Sequence, residues 1–300
     1  VPVSYSLELP TQRVDDAAEF VTAAAIVDIA REAEACGFAA IHVTDHPAPD
    51  TRWLDTGGHH ALDPFVALSF AAASTVDIKL LTHVYIAAYR NPFLGAKSIQ
   101  SLDVLSGGRL ILGTAAGYLK PEFRALGIDF ENRGAQLDEA LDVLTKVVTG
   151  EDTVYEGTTF SARGVRLRPV RASAPPIWIG GNSKPAIRRA LSRFQGWAPF
   201  NTFGYAAGSR TAEISTLEDL ESAIRWAKAY GEQIGRTEPL DICFSAGNEL
   251  DDNRSLDERH TLVERLTAAG VTWLTIPPTG DTRAEVIERA KSFAKEFIRT

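Results

Sequence analysis

The 300-residue chain is 45% hydrophobic and 23% charged, a soluble globular balance that suits one large core as well as two smaller ones. Its 39 acidic against 31 basic side chains leave a net charge of −8, which argues against a nucleic-acid or acidic-membrane partner. No apolar run reaches the ~18 residues of a membrane span, and no basic segment followed by a hydrophobic one opens the chain, so a cytoplasmic protein is expected.

Residues Val3–Leu9 alternate apolar and polar and read as a first strand, followed by a helix over Ala24–Cys36 that stops at Gly37. Ala39–Thr44 is a second strand, leading through Asp45 and His46 into a loop, Ala48–His60. Asp63 and Pro64 open the helix Leu62–Ser74. Leu80–Ala87 is a strand with polar Thr82 and His83 where a buried parallel strand is normally apolar. Asn91 and Pro92 then start a helix that closes at Gly107 and Gly108. Leu110–Leu112 follows as a strand and opens into the loop Gly113–Tyr118.

Arg133–Thr149 carries Leu137, Ala140, Leu141, Leu144, Val147 and Val148 on one helical stripe. Glu151–Arg171 breaks the rhythm and reads as a hairpin insertion. The remaining elements are strand Pro176–Ile179, a helix through Leu191, strand Gly196–Ala198, helix Thr216–Gly231, strand Leu240–Phe244, helix Leu256–Ala269, strand Val271–Ile276 and a last helix opened by a Thr282–Glu285 capping box. Eight strands each followed by a helix predict an α/β fold, a (β/α)8 TIM barrel with a hairpin insertion after the fourth helix. A doubly wound sheet would need a G-x-G-x-x-G turn after its first strand, and there is none. No second domain is visible, so residues 1–300 are expected to form one domain. Cys36 and Cys243 each sit among apolar residues and read as buried thiols of a reducing compartment.

Barrel active sites lie at the C-terminal ends of the strands. That rule selects Glu8, Asp45, His46, Thr82, His83, the Gly113–Tyr118 loop, the Gly180–Ser183 loop, Trp197, Ser245 and Pro277. The two glycine loops are either plain turns or phosphate cradles. Glu8 is either paired to a barrel base or a site acid. His46, just past a strand end beside an acid, is the favoured proton-transfer residue, while His42 reads as a satisfied interior histidine. Tyr118 and Trp197 read as walls for a flat ring, and Tyr118 can also donate a proton. The Arg163, Arg166, Arg168 and Arg171 run reads as a solvated face rather than an anion clamp. His42 and His46 stand roughly 13 Å apart on an extended strand, too far to share one ion, so no metal is expected. The P-loop, zincin, C-x-x-C and G-x-S-x-G motifs are absent.

Taken together, Asp45 and His46, the run Tyr89–Pro92, the stretches Leu102–Gly113 and Phe123–Phe130, Arg133 and Gly134 with Leu137, and Pro175–Gly181 resemble the bacterial luciferase-like family. The resemblance spans first strand to last helix and is nearest to a branch described as probable coenzyme F420-dependent oxidoreductases. It implies a (β/α)8 barrel, usually a homodimer, acting on a small-molecule substrate with F420, or alternatively FMN, across the C-terminal mouth. The implied reaction is hydride transfer with F420; the alternatives are an FMN-dependent monooxygenase and a non-catalytic flavin-binding protein. Position by position, Asp45, His46 and Tyr118 would serve catalysis. Thr82, His83, Val84 and Asn91 would support the ring, His83–Val84 through a bulge with a non-proline cis peptide. Gly113, Thr114, Ala115, Ala116 and Gly117 would line the cofactor tail, and Gly180, Gly181, Asn182 and Ser183 its phosphate. Glu8 and Trp197 would face substrate. Two positions depart from the pattern: His83 stands where relatives commonly have Gly, and Tyr118 where sugar-phosphate dehydrogenases carry an acidic donor.

Overall fold

The computed structural model describes residues 2–202, 212–250 and 254–298. Eight parallel strands close into a barrel: β1 (Ser4–Glu8), β2 (Ala40–Val43), β3 (Lys79–Ile86), β4 (Leu110–Ala115), β5 (Ile177–Gly180), β6 (Gly196–Ala198), β7 (Asp241–Ser245) and β8 (Trp273–Ile276). Each strand pairs with its neighbours in sequence, and β8 closes on β1 with Leu7 opposite Ile276. The helices between them are α1 (Ala23–Cys36), α2 (Pro64–Ser74), α3 (Pro92–Leu105), α4 (Arg133–Val147), α5 (Lys184–Arg193), α6 (Leu217–Gln233), α7 (Leu256–Ala269) and α8 (Arg283–Phe297). The expected (β/α)8 fold is therefore the observed one.

Local chemistry sets the helix ends. Thr22 Oγ1 accepts the Ala25 N–H to open α1, and Gly37, at φ 91°, ends it in a left-handed conformation that costs glycine nothing. Reciprocal capping boxes open α6, through Thr216 and Asp219, and α7, through Ser255 and Glu258. The box expected at Thr282 is only half made. Thr282 accepts the Glu285 N–H, but the Glu285 carboxylate takes the N–H of Asp281. Strands β2 and β5 are buried along their whole length, as a sheet covered on both faces requires.

Two apolar layers hold the barrel. The larger lies between strands and helices and includes Ile29, Ile41, Leu68, Leu80 and Leu274. The smaller, Ala40, Leu81, Ile111, Trp178, Ala198 and Cys243, fills the barrel's inside, with Trp178 against Trp273 at 5.1 Å between ring centroids. Both cysteines are buried and unbridged. The hairpin after α4 (Thr153–Glu156 with Ser161–Val165) is held by Glu139, whose carboxylate accepts the N–H groups of Thr159 and Phe160. Its arginines face solvent: Arg163 pairs with Glu156 and Arg166 with Asp152. Three short helices fall outside the elements read from sequence, Ala17–Phe20, Thr51–Asp55 and Lys120–Ala125. Of the loop Asn201–Ser215, expected to shape specificity, residues 203–211 lie outside the described residues. Among the described residues, no helix is long and apolar enough to cross a membrane.

Candidate active site

A cavity of about 440 Å³ opens at the C-terminal mouth of the barrel, within the range of small-molecule and cofactor sites. It gathers Glu8, Asp45, His46, His83, Val84, Ala115–Tyr118 and Gly180–Ser183, as sequence placed them, and adds His42, Thr44, His59, Tyr89, Arg133 and Arg189.

The wall between β3 and β4 is irregular. The pairing register shifts between Thr82 and Tyr85, and the His83–Val84 peptide is cis, in keeping with the bulge that the family resemblance implies. Gly113 and Thr82 serve this bulge rather than lining the cavity. A Cβ on Gly113 would stand 2.1 Å from the Thr82 carbonyl oxygen, and Thr82 Oγ1 donates to the Gly113 carbonyl at 2.8 Å. Thr114 is likewise fully buried in β4 and does not line the cavity.

Two further expected site residues also stand back from the cavity. Asn91 caps α3, accepting from the N–H groups of Phe93 and Leu94. Trp197 is fully buried, and its indole N–H donates to the Gly181 carbonyl at 2.7 Å, so it braces the glycine loop instead of facing substrate. Asn182 ties the same loop to the next, exchanging hydrogen bonds with the backbone of Phe200, and Ser183 caps α5.

Asp45 lines the cavity, but its carboxylate is committed. It accepts from both terminal nitrogens of Arg90 at 2.6 and 2.9 Å and from the Ile86 N–H at 2.9 Å, and it is 3% exposed. A bidentate, buried pair of this kind fixes the β2 end against β3 and commits the Asp45 charge to Arg90.

The acid that holds His46 is Glu122, not its chain neighbour Asp45. Glu122, wholly buried, receives three donors: Tyr89 O–H at 2.8 Å, Ala48 N–H at 3.1 Å and His46 Nδ1 at 3.2 Å. A carboxylate only accepts, so Nδ1 carries the proton and Nε2 is the nitrogen left for a ligand. Burial and the adjacent Glu122 raise the Tyr89 pKa, keeping its hydroxyl a donor. The rings of Trp53, His59 and Tyr118 pack around His46 at 4.5, 4.9 and 6.0 Å between centroids. Glu122 escaped notice because it stands on the short helix Lys120–Ala125, whose single turn carries no periodic signal.

Below the rim, His42 Nδ1 meets Ser6 Oγ at 3.0 Å, and the His42 and His83 rings stand edge to face at 5.3 Å. The satisfied interior role expected of His42 holds, yet the ring also lines the cavity. Burial lowers both pKa values, that of His83 to about 4, so both rings are neutral near pH 7. His83 Nε2 is buried with no hydrogen-bond partner. Burial pushes Glu8 up to about 7.

The opposite wall suits an anionic tail. A Cβ on Gly180 would come within 3.1 Å of Val84 and 3.2 Å of Ala115, and Gly117, at φ 82°, would meet Ile86 at 2.9 Å. Only glycine keeps this cradle open. Arg133, held over the Phe130 ring at 4.0 Å, forms no ion pair with any carboxylate among the described residues, whereas Arg189 is paired with Asp138. A cradle of glycines, a guanidinium whose one hydrogen bond is from Nη1 to the Phe130 carbonyl, and an unpartnered imidazole nitrogen fit a flat, phosphate-bearing cofactor.

A closed (β/α)8 barrel with such a mouth defines the class: a barrel with a small-molecule cavity at the C-terminal ends of its strands. The family profile of luciferase-like monooxygenases matches residues 6–225, and the chain belongs to that family. An uncharacterized protein of Mycobacterium tuberculosis is 25% identical over 228 residues, covering 72% of this chain and 74% of that one. The 4-hydroxyprotoasukamycin monooxygenase of Streptomyces nodosus subsp. asukaensis is 30% identical over 205 residues, 62% of this chain and 54% of that one. Among solved structures, monooxygenase RslO1 from Streptomyces bottropensis superposes with a TM-score of 0.80 at 17% identity, covering 98% of both chains. The coenzyme F420-dependent tetrahydromethanopterin reductase from Methanopyrus kandleri does so at 0.72 and 17%, covering 97% of this chain and 98% of that one. The oxygenating constituent of 3,6-diketocamphane monooxygenase from Pseudomonas putida, in complex with FMN, reaches 0.76 at 18%, covering 99% and 98%. At these identities the structural likenesses establish the fold alone.

Proposed function

We propose that the protein is an oxidoreductase transferring a hydride between coenzyme F420 and a small organic substrate, with His46 handling the accompanying proton. The observation that carries this reading is the Glu122–His46 pair at the rim of the cavity, 3.2 Å apart. Reduction of a carbonyl, or oxidation of an alcohol, moves one proton at oxygen for each hydride moved at carbon. An imidazole whose Nδ1–H is fixed by a buried carboxylate presents Nε2 for that proton.

The cofactor, when bound, supplies a two-electron hydride chemistry that no side chain provides. This chain's residues would bind and orient it. Gly117, Gly180, Gly181 and Arg133 would take its phosphate end, the His83–Val84 bulge would back its ring, and His83 Nε2 would accept a hydrogen bond. The packed rings of Trp53, His59 and Tyr118 would exclude water from the His46 side.

An FMN-dependent monooxygenase is the second reading, favoured by the 30% identity to a named monooxygenase. Oxygen separates the two. Loaded with reduced F420 and offered a panel of small ketones, the protein should turn over without oxygen; strict oxygen dependence with reduced FMN would overturn the first reading. Turnover with neither, together with binding insensitive to His46→Ala, would indicate a flavin carrier. A second copy of the chain as partner belongs to the same proposal, and light scattering of the purified protein tests it.

A further inference from the structure

The strand order divides the cavity into two arcs. β4, β5 and β6 carry the glycine cradle; diametrically across the barrel stand β8, β1 and β2. That second arc presents Glu8, Gln12, His42, Thr44, Thr275 and Pro277 to the cavity. Glu8 and His42 are direct partners in the β1–β2 register, and Leu9 N–H donates to the His42 carbonyl, so Thr44 follows at the same rim.

The polar atoms of this arc are short of donors. Glu8 makes no hydrogen bond or ion pair with any described residue. Thr44 Oγ1 and Gln12 Oε1 are buried without partners. Among the described residues no lysine or arginine lines this arc, and the two arginines that line the cavity, Arg133 and Arg189, belong to α4 and α5 on the cradle side. Glu8 is half-buried at the cavity wall, where a donor would gain a charge-assisted hydrogen bond and an anionic ligand would meet repulsion.

We propose that the β8–β1–β2 arc is a substrate subsite that recognises a protonated amine, with Glu8 as its counter-charge and Thr44 and Gln12 as further acceptors. The proposal rests on the barrel mouth being the reaction site, as the proposed function has it, and adds the chemistry of what enters. Three acceptors match the three N–H donors of an ammonium group, which accepts nothing in return. A carboxylate or phosphate substrate finds no lysine or arginine on this arc among the described residues, and the His42 and His83 rings beside Glu8 are neutral at pH 7.

The titratable groups around Glu8 are His42 on β2, His83 on β3, and His46 and His59 at the rim; Asp45 is taken up by Arg90, and β7 and β8 contribute only Ser245, Thr275 and Pro277. Burial alone accounts for the raised Glu8 pKa of about 7. A bound ammonium favours the carboxylate, so binding near pH 7 releases a proton from Glu8 and strengthens as pH rises through that value.

Isothermal titration of the full chain, as purified and after addition of F420, with benzylamine, benzyl alcohol and benzoate at pH 6 and pH 8 tests this. Benzylamine should bind about tenfold more tightly than benzyl alcohol at pH 8, with benzoate weakest, and lose most of that margin at pH 6. In buffers of different ionisation enthalpy at pH 7 it should release protons. Glu8→Gln, which keeps the side chain's shape, should abolish both the amine preference and the proton release. Thr44→Val should weaken benzylamine severalfold with the fold intact by circular dichroism. Equal binding of benzoate, or an amine preference that survives Glu8→Gln, overturns the proposal. Loss of the amine preference while F420 still saturates overturns this inference alone; failure of F420 to bind while the preference persists overturns the cofactor reading alone.

Discussion

Glu122→Gln isolates the group that gives His46 its orientation. The carboxylate now faces three donors, Tyr89 O–H, Ala48 N–H and His46 Nδ1–H, with Oε2 serving the tyrosine and the histidine and Oε1 the backbone. Glutamine has one acceptor oxygen and one NH₂. The Ala48 N–H cannot reverse, so the amide oxygen turns to it and the NH₂ faces Tyr89 and His46. The tyrosine hydroxyl can rotate to accept, but His46 can accept at Nδ1 only by moving its proton to Nε2. The nitrogen toward the cavity then becomes a donor and ceases to be a base. Charge-assisted hydrogen bonds contribute about 1.5–3 kcal/mol each, so losing their charge should cost about 2 kcal/mol of stability. With the wrong tautomer presented, turnover should fall about 100-fold while cofactor affinity stays within about twofold. The ¹⁵N shifts of the His46 ring report the tautomer without any substrate, and urea unfolding reports the stability. An unchanged tautomer with unchanged turnover would refute the reasoning.

Other changes test other parts of the site. His46→Ala should cut turnover at least 100-fold and leave cofactor binding nearly intact, read by steady-state kinetics beside a fluorescence titration. Gly117→Ala puts a Cβ at φ 82° and 2.9 Å from Ile86, and should destabilise by about 1–3 kcal/mol in urea unfolding while weakening the cofactor. Glu8 is protonated more readily folded than unfolded, so its contribution to stability is full below pH 4.5 and lost as pH rises to about 7. Glu8→Gln should therefore make the protein about 2–3 kcal/mol more stable than the parent at pH 8, with little difference at pH 4. His83 has the opposite sign: its folded pKa of about 4, against 6.5 unfolded, makes stability fall as pH drops through that window, and His83→Asn should flatten the fall.

Much of the barrel could be read directly because its elements announce themselves. Gly37 and Gly270 end their helices in the left-handed region, Asn91 and Ser183 cap theirs, and the hairpin follows the fourth barrel helix as expected. The cavity's polar residues were legible through one rule, that barrel sites collect at strand ends. The rule gives the rim but not the direction of a side chain. Thr82, Gly113, Thr114 and Trp197 satisfy it and still belong to the wall, while Asn91, which the family resemblance added, caps a helix. Asp45 next to His46 suggested a pair, whereas the nearer donors to Asp45 are Arg90 and the Ile86 N–H. The true partner of His46 lies 76 residues on, in a one-turn helix. Contacts at such separations depend on how helices and loops pack, which local periodicity does not encode.

The central claim, an F420-dependent hydride transfer at this mouth, meets its most direct test in parallel titrations of the cofactor-free protein with F420 and FMN, followed by cofactor fluorescence. F420 should bind saturably at micromolar concentration or below, at least tenfold more tightly than FMN, and Arg133→Ala should weaken it. Micromolar binding of FMN with none of F420 would contradict it.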